Sequence, residues 1–228
     1  VNVITRALRG ARQLGARVRS RGIKEVALLT WSRTKEEISS GETLHFLVKE
    51  TSPNAPTSDD LSFRAATDAD AERYARDVGT DSPQTFRSRL TPRTRCFVVE
   101  ADDRFVHASW VTTERSWARE IRGWLVPPHG DAYIYESFTH PDARGRGIYP
   151  FALASILATL CSEGVRRAWI AVEEHNPPSR RSIDKAGFTF AFAISYRRKL
   201  GRFTLYPATG PEAQVGQTFV QAHKGREK

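Results

Sequence analysis

Apolar and polar positions change period several times along the 228 residues, and each change marks a predicted element. Ile4, Leu8, Ala11, Leu14 and Val18 recur on one face, so the chain opens with an amphipathic helix. In Thr43 to Lys49, Leu44, Phe46 and Val48 stand against Thr43, His45 and Lys49, which predicts a short strand. Residues 51–60, with Pro53, Asn54, Pro56 and two aspartates, read as a linker. Leu61 to Ala66 then reads as a strand, followed by a helix capped near Thr67 or Asp68 and running to about Val78. A second short helix is predicted from Ser82-Pro83, with proline in its first turn. Arg95 to Ala101 and Phe105 to Thr112 form a hairpin closed by Asp102-Asp103.

Residues 114–131 read as an irregular, aromatic-rich insertion at the mouth of a site. Beyond it come a strand over 132–139, a strongly apolar helix over 148–163 and a strand over 167–172. A short helix over 178–186 is capped by Asn176 and ended by Gly187, and a last strand runs from Phe188 to Lys199. This alternation, without strict βαβ repetition, predicts an α/β (α+β) domain: a mixed sheet with helices on both faces. The predicted organisation is an N-terminal extension over 1–60, a main domain over 61–206 and a tail over 207–228.

Composition changes the picture in one respect. The net charge of +9 suggests a nucleic-acid partner until it is located. Arg6, Arg9, Arg12, Arg17, Arg19, Arg21 and Lys24 place +7 of it in residues 1–24, so the main domain is close to neutral. Nucleic acid is therefore not the expected partner. A basic helix over 4–21 with an apolar stripe suits packing on the domain or peripheral contact with an anionic membrane. The longest apolar run, Ile148 to Cys161, is too short to cross a bilayer, and no signal-peptide pattern opens the chain. Cys96 and Cys161 lack metal or redox spacing, so a reducing, cytoplasmic setting is expected.

The stretch that carries chemistry is Thr139-His140-Pro141-Asp142-Ala143-Arg144-Gly145-Arg146-Gly147-Ile148, between a strand and the apolar helix. Its glycines let backbone amides turn toward one point, where the helix start already offers free N–H groups and partial positive charge. That geometry binds phosphates, and Arg144 and Arg146 add charge-assisted contacts. The Walker A and dinucleotide-binding patterns are both absent.

From Tyr133 to Phe188 the sequence resembles the GNAT N-acetyltransferase superfamily. Pro141-x-x-Arg144-Gly145-x-Gly147-Ile148 resembles that family's pyrophosphate loop, and Arg167 to Val172 its splayed strand. Asn176 followed by Lys185-Ala186-Gly187-Phe188 resembles its second signature. The resemblance implies a mostly antiparallel central sheet and an N-acyltransferase that uses acetyl-CoA or another acyl-CoA, with no metal. It implies an amine acceptor, with a lean toward small molecules, in a monomer or homodimer. A non-catalytic binding module of the same fold is the alternative. Phe138, Thr139, Arg144, Gly145, Arg146, Gly147, Ile148, Tyr149, Asn176, Ser179 and Ser182 are the expected cofactor contacts.

Direct attack on a thioester needs a neutral amine, hence a base, and Glu136 in the preceding strand is the leading candidate, before His107, Glu173 and His175. Tyr133, Tyr135 and Ser137 alternate with Ile134, Glu136 and Phe138, so only one set faces an acceptor cleft unless a bulge swaps them. Tyr133, Tyr135, Trp110, Trp117 and Trp124 are candidates to line that cleft. Two positions depart from the family pattern. Tyr149 replaces the usual small residue of the loop, where its ring either narrows the pyrophosphate pocket or points outward. Ile183 stands where a tyrosine usually protonates the departing thiolate, so either water or another hydroxyl serves (Ser179, Ser182, Tyr149 or Tyr196, of which Ser179 and Tyr196 lead), or the thiolate leaves unprotonated, as a moderately acidic thiol allows.

Overall fold

The structure is a computed structural model, and its described residues are 39–199 and 202–222. The predicted basic helix over 4–21 lies outside them. The chain divides into two compact units, residues 1–42 with 196–204 and residues 43–195 with 205–228. In the smaller one, the rings of Tyr196 and Phe203 stack at 5.9 Å.

The larger unit is built on seven strands in the order β9-β1-β8-β7-β4-β3-β2. These are β1 (Ser39–Glu50), β2 (Ser62–Ala65), β3 (Thr94–Ala101), β4 (Arg104–Thr112), β7 (Asp131–Thr139), β8 (Arg167–Glu173) and β9 (Thr189–Lys199). The ends of β1 and β9 belong to the smaller unit, which also holds most of β10 (Arg202–Leu205). The pairs β1–β8, β2–β3, β3–β4 and β4–β7 are antiparallel, and β7–β8 is parallel. The mixed, mostly antiparallel sheet is as the sequence predicts. Asp102 and Asp103 both take positive φ in the tight β3–β4 turn.

Alternation along the strands sends side chains to two cores. On one face, Phe97, Val111, Ile134 and Ile170 meet α3 (Ile148–Ser162) and α4 (Pro177–Lys185) through Leu153, Ile156, Leu157, Leu160 and Ile183. On the other, Cys96, Val98, Ala108 and Trp110 meet α1 (Ala71–Asp77) and α2 (Pro83–Arg89) through Tyr74 and Phe86. Ser82 caps α2, accepting from Thr85 N at 3.1 Å, with Pro83 behind it. Asn176 caps α4 by accepting from Ser179 N at 3.3 Å, and Lys49 Nζ donates to the Ala186 carbonyl at that helix's other end at 2.6 Å.

Two regions differ from the sequence reading. The stretch predicted as irregular contains β5 (Ser116–Ala118) and β6 (Gly123–Leu125), which join β11 (Val220–Ala222) in a second sheet ordered β11-β6-β5. Residues read as a tail form α5 (Ala213–Phe219) and β11. Strands of three residues carry too few positions for a period of two to be visible, and β11 exists only through its long-range partner. Phe219 anchors this region: it is fully buried, with ring centroids 5.3 to 5.9 Å from those of Phe46, Tyr133, Trp169 and Phe192. Among the described residues no helix is long and apolar enough to cross a membrane.

Phe219→Ala leaves a cavity among four rings, and a loss of about 3–5 kcal/mol is expected. A urea titration followed by tryptophan fluorescence measures it, with a lower midpoint and an unchanged slope.

Candidate active site

The β7–β8 ladder runs from Asp131–Arg167 to Ile134–Ile170 and stops there. Beyond this point Tyr135, Glu136 and Ser137 face Ala171, Val172 and Glu173 across a cleft of about 280 Å³, also lined by Ser116 to Glu120, Tyr149, Asn176 and Ser179. The cause lies on the other edge of β7. Trp110 pairs with Tyr135 but Ala108 with Phe138, so two residues of β7 oppose Ser109 alone. This is a β-bulge, and Glu136 within it has φ of +47°. A left-handed residue with a side chain costs about 1–2 kcal/mol and breaks the strand's path.

The bulge resets the alternation. Ile134 faces α3, yet Ser137 and Thr139 follow it to that side, while Phe138 packs with Tyr135 in the α1–α2 core. Phe138, expected to contact a cofactor, has only its backbone to offer there. Glu136 projects at the mouth, with its side chain 48% exposed and its Oε2 2.7 Å from Arg89 Nη1. Arg89 also binds Asp81 and stacks 3.9 Å above the Trp110 ring. Burial works against the Arg89 charge, but the Tyr135 hydroxyl and the Glu136 carboxylate hold its pKa above the ordinary value. Glu136 is thus fixed in place by a guanidinium.

The glycine-arginine loop leads into α3, whose Tyr149 lines the cleft. Pro141–Ala143 form a single 3-10 turn, Gly145 and Gly147 take φ of +79° and +75°, and α3 begins at Ile148. A Cβ at either glycine meets no atom within 4 Å, so backbone conformation, not crowding, selects glycine. Arg144 and Arg146 are exposed, and Arg144 Nε donates to the Thr139 carbonyl at 3.2 Å. The fifteen-residue α3 starts at this loop, and the N–H groups of Ile148 and Tyr149 in its first turn have no partner within the helix, since Pro150 has no N–H and Phe151 N already bonds the Gly147 carbonyl.

Tyr149 takes neither orientation expected for it. Its ring turns inward and stacks on His107 at 5.2 Å, and it lines the cleft together with Ser137 and Ser179. Burial raises the Tyr149 phenol to about 12, against the opposing influence of the Ser137 and Ser179 hydroxyls, so the group stays protonated at neutral pH. Ile183 is buried in the core and donates nothing. Ser182 binds the Pro178 carbonyl on its own helix, and Tyr196 lies in the smaller unit.

Of the aromatic candidates, Tyr133, Tyr135 and Trp117 line the cleft. Trp124 sits edge-on to Trp117, with ring centroids 5.2 Å apart, under the Arg115 guanidinium. Trp110 is fully buried, donating from Nε1 to the Tyr74 hydroxyl at 3.1 Å. Glu120 and Glu173 join Glu136 in the lining, and among the described residues Arg119 is the one cationic residue there.

The sequence reading ranked His107 low and missed Ser109 and Ser137. His107 is buried, with Nδ1 2.8 Å from Thr139 Oγ1 and Nε2 2.8 Å from Ser109 Oγ, which lies 2.8 Å from Ser137 Oγ. Burial lowers the His107 pKa to about 3, so its ring is neutral, which removes it as a direct base for a substrate at the mouth. The visible signal was two polar residues, His107 and Ser109, on one face of an otherwise apolar strand.

Residues 62–188 match the family model described as Acetyltransferase (GNAT) family. No curated protein matches the chain. Among solved structures, it is similar to a Novosphingobium aromaticivorans protein described as an acetyltransferase of the GNAT family. The TM-score is 0.51 at 15% identity, over 68% of this chain and 63% of that one. It is also similar to a functionally unknown conserved protein of Staphylococcus epidermidis, with TM-score 0.51 and 10% identity, over 74% and 65%. The match thus spans under two thirds of either neighbour's length, and at these identities the likeness is one of fold.

The neutral His107 generates a stability prediction. Its folded pKa of about 3 lies below the ordinary 6.5, so below pH ~6.5 the unfolded chain binds a proton that the folded one refuses. Stability is full above that pH and falls toward pH 3, at up to about 1.4 kcal/mol per pH unit from this residue. Denaturant unfolding from pH 7 to pH 4 checks it: His107→Phe is expected to flatten the slope by that amount.

Proposed function

The chain belongs to the GNAT acetyltransferase family, and on that premise we propose that it moves an acetyl or other acyl group from an acyl-CoA to a small-molecule amine by direct attack. The observation that carries this reading is the opening of the β7–β8 ladder beside the Gly145–Gly147 loop. The loop amides, the start of α3 and the arginines suit a pyrophosphate. The released edges of Tyr135–Ser137 and Ala171–Glu173 offer amide partners to a pantetheine arm, which brings the thioester under the Tyr149 hydroxyl. Backbone N–H groups freed at the bulge are aimed where the carbonyl oxygen gathers charge.

The acceptor enters through the mouth, where Glu120, Glu136 and Glu173 favour a cation and Trp117 and Tyr135 offer ring faces. Glu136, held by Arg89, orients the ammonium and receives its proton through water before attack. After the tetrahedral intermediate collapses, Tyr149 protonates the thiolate, with Ser179 as the second hydroxyl on that point. The inward turn of Tyr149 supplies the donor that Ile183 lacks, and this favours an enzyme over a non-catalytic module.

Calorimetric titration with acetyl-CoA tests the donor site: micromolar binding is expected, and its loss in the Arg144→Ala, Gly147→Trp double variant. Thiol release with glucosamine, 1,5-diaminopentane and phenylalanine amide as acceptors tests the chemistry. Tyr149→Phe is expected to lower kcat about 10- to 100-fold with little change in the KM for acetyl-CoA, and Glu136→Gln to lower kcat/KM for the amine. Absence of acetyl-CoA binding by the unaltered protein removes the proposal.

A further inference from the structure

Tyr149 is the visible end of a longer feature. Four polar side chains run in single file beneath it: Ser137 to Ser109, Ser109 to His107 and His107 to Thr139, each link at 2.8 Å. The file crosses from β7 to β4 and back, under the N-terminal end of α3. His107 is 1% exposed and Ser109 fully buried, whereas Thr139 is half-buried at the end of β7. Buried polar groups on a core strand weaken packing unless each is satisfied, and here each is satisfied by the next. A valine or alanine at His107 and Ser109 would fill the same face without the desolvation cost. Every member either donates and accepts at once or, as the imidazole does, passes a proton from one nitrogen to the other.

We propose that Thr139, His107, Ser109 and Ser137 form a proton relay that refills the Tyr149 hydroxyl as it protonates the departing thiolate. The inference rests on the acyltransferase reading and adds to it two buried residues, His107 and Ser109, that lie behind the cleft lining. The step balances as one proton entering and one leaving. Tyr149 gives its hydroxyl proton to the thiolate sulfur as the carbon–sulfur bond breaks. Ser137 donates to the phenolate oxygen, Ser109 to Ser137, and His107 Nε2–H to Ser109. His107 Nδ1 takes the Thr139 proton, and Thr139 is reprotonated from solvent, which has already received the proton lost by the amine. No member carries a net charge afterwards, and the imidazole has changed tautomer. The need for a refill follows from the phenol itself: with a pKa near 12 it gives its proton poorly to a thiolate, whose conjugate acid ordinarily lies near 8.5, unless that proton is replaced as it leaves. His107 is a positioning residue here, acting through Ser109 and Ser137.

The test is single-turnover acyl transfer from acetyl-CoA to the three amines named above, run in mixtures of H2O and D2O. Full-length protein is compared with His107→Phe, which keeps a flat ring, and with Ser109→Ala, which cuts the file one link nearer the cleft. Variants are accepted when acetyl-CoA affinity and melting temperature at pH 8 stay near those of the unaltered protein. The relay predicts a bowed dependence of rate on deuterium fraction for the unaltered protein, because several protons move together. It predicts a linear dependence and a rate at least about 10-fold lower in each variant. If His107→Phe fails to fold, Ser109→Ala decides alone. A linear dependence in the unaltered protein, or a bowed one kept by a folded variant, overturns the relay and leaves the acyltransferase reading standing. No transfer to any of the amines by the unaltered protein overturns that reading, and the relay with it.

Discussion

Glu136 sits at φ +47° in the middle of a strand, and the site follows from that single backbone irregularity. Two residues of β7 oppose Ser109 on β4, so β7 bends, and its ladder to β8 ends at Ile134. Without the bulge the parallel pairing would continue past Tyr135 and close the cleft. The same extra residue rotates Ser137 and Thr139 onto the face shared with His107 and Tyr149. One local strain of about 1–2 kcal/mol thereby opens a slot, frees backbone amides and assembles the hydroxyl chain. The packing of Trp110, Tyr74 and Phe86 on one side and of α3 on the other holds the strained strand in position.

Electrostatics divides the site into two ends. The loop end offers amides, a helix start and two exposed arginines to an anion. The mouth offers three glutamates against Arg119. A ligand with an anionic head and an acyl tail, meeting a cationic acceptor from the opposite side, fits this polarity. Arg89 is the connection between the mouth and the α1–α2 core, since it reaches Asp81, Glu136 and the Trp110 ring together. Substitution there would loosen both the carboxylate and the strand beneath it.

Much of this was legible in the sequence where the signal is contiguous. Gly145 and Gly147 mark the turn into α3 because two glycines and a helix start lie within a few residues. Asn176 and Gly187 mark both ends of α4, and Asp102-Asp103 marks the hairpin. What stayed hidden depends on pairing between distant segments. The face taken by Ser137 turns on the count of residues opposite Ser109, which no period within β7 reports. Tyr149 turned inward because His107, on β4, offers it a ring to stack on. The second sheet exists because Val220 meets Leu125 across nearly a hundred residues. Ile183 was legible as a departure and Tyr149 as one of four candidate hydroxyls, but the inward position of Tyr149 depends on its partner ring on β4.

The central claim is that the bulge-opened edge of β7 and the loop before α3 bind one ligand together. Amide hydrogen exchange with and without acetyl-CoA, read residue by residue, tests it most directly. Protection is expected to rise together in Tyr135 to Thr139 and in Gly145 to Tyr149, with no comparable change in β2, α1 or α2. Protection gained elsewhere, or in the loop alone while the β7 amides exchange as before, would contradict it.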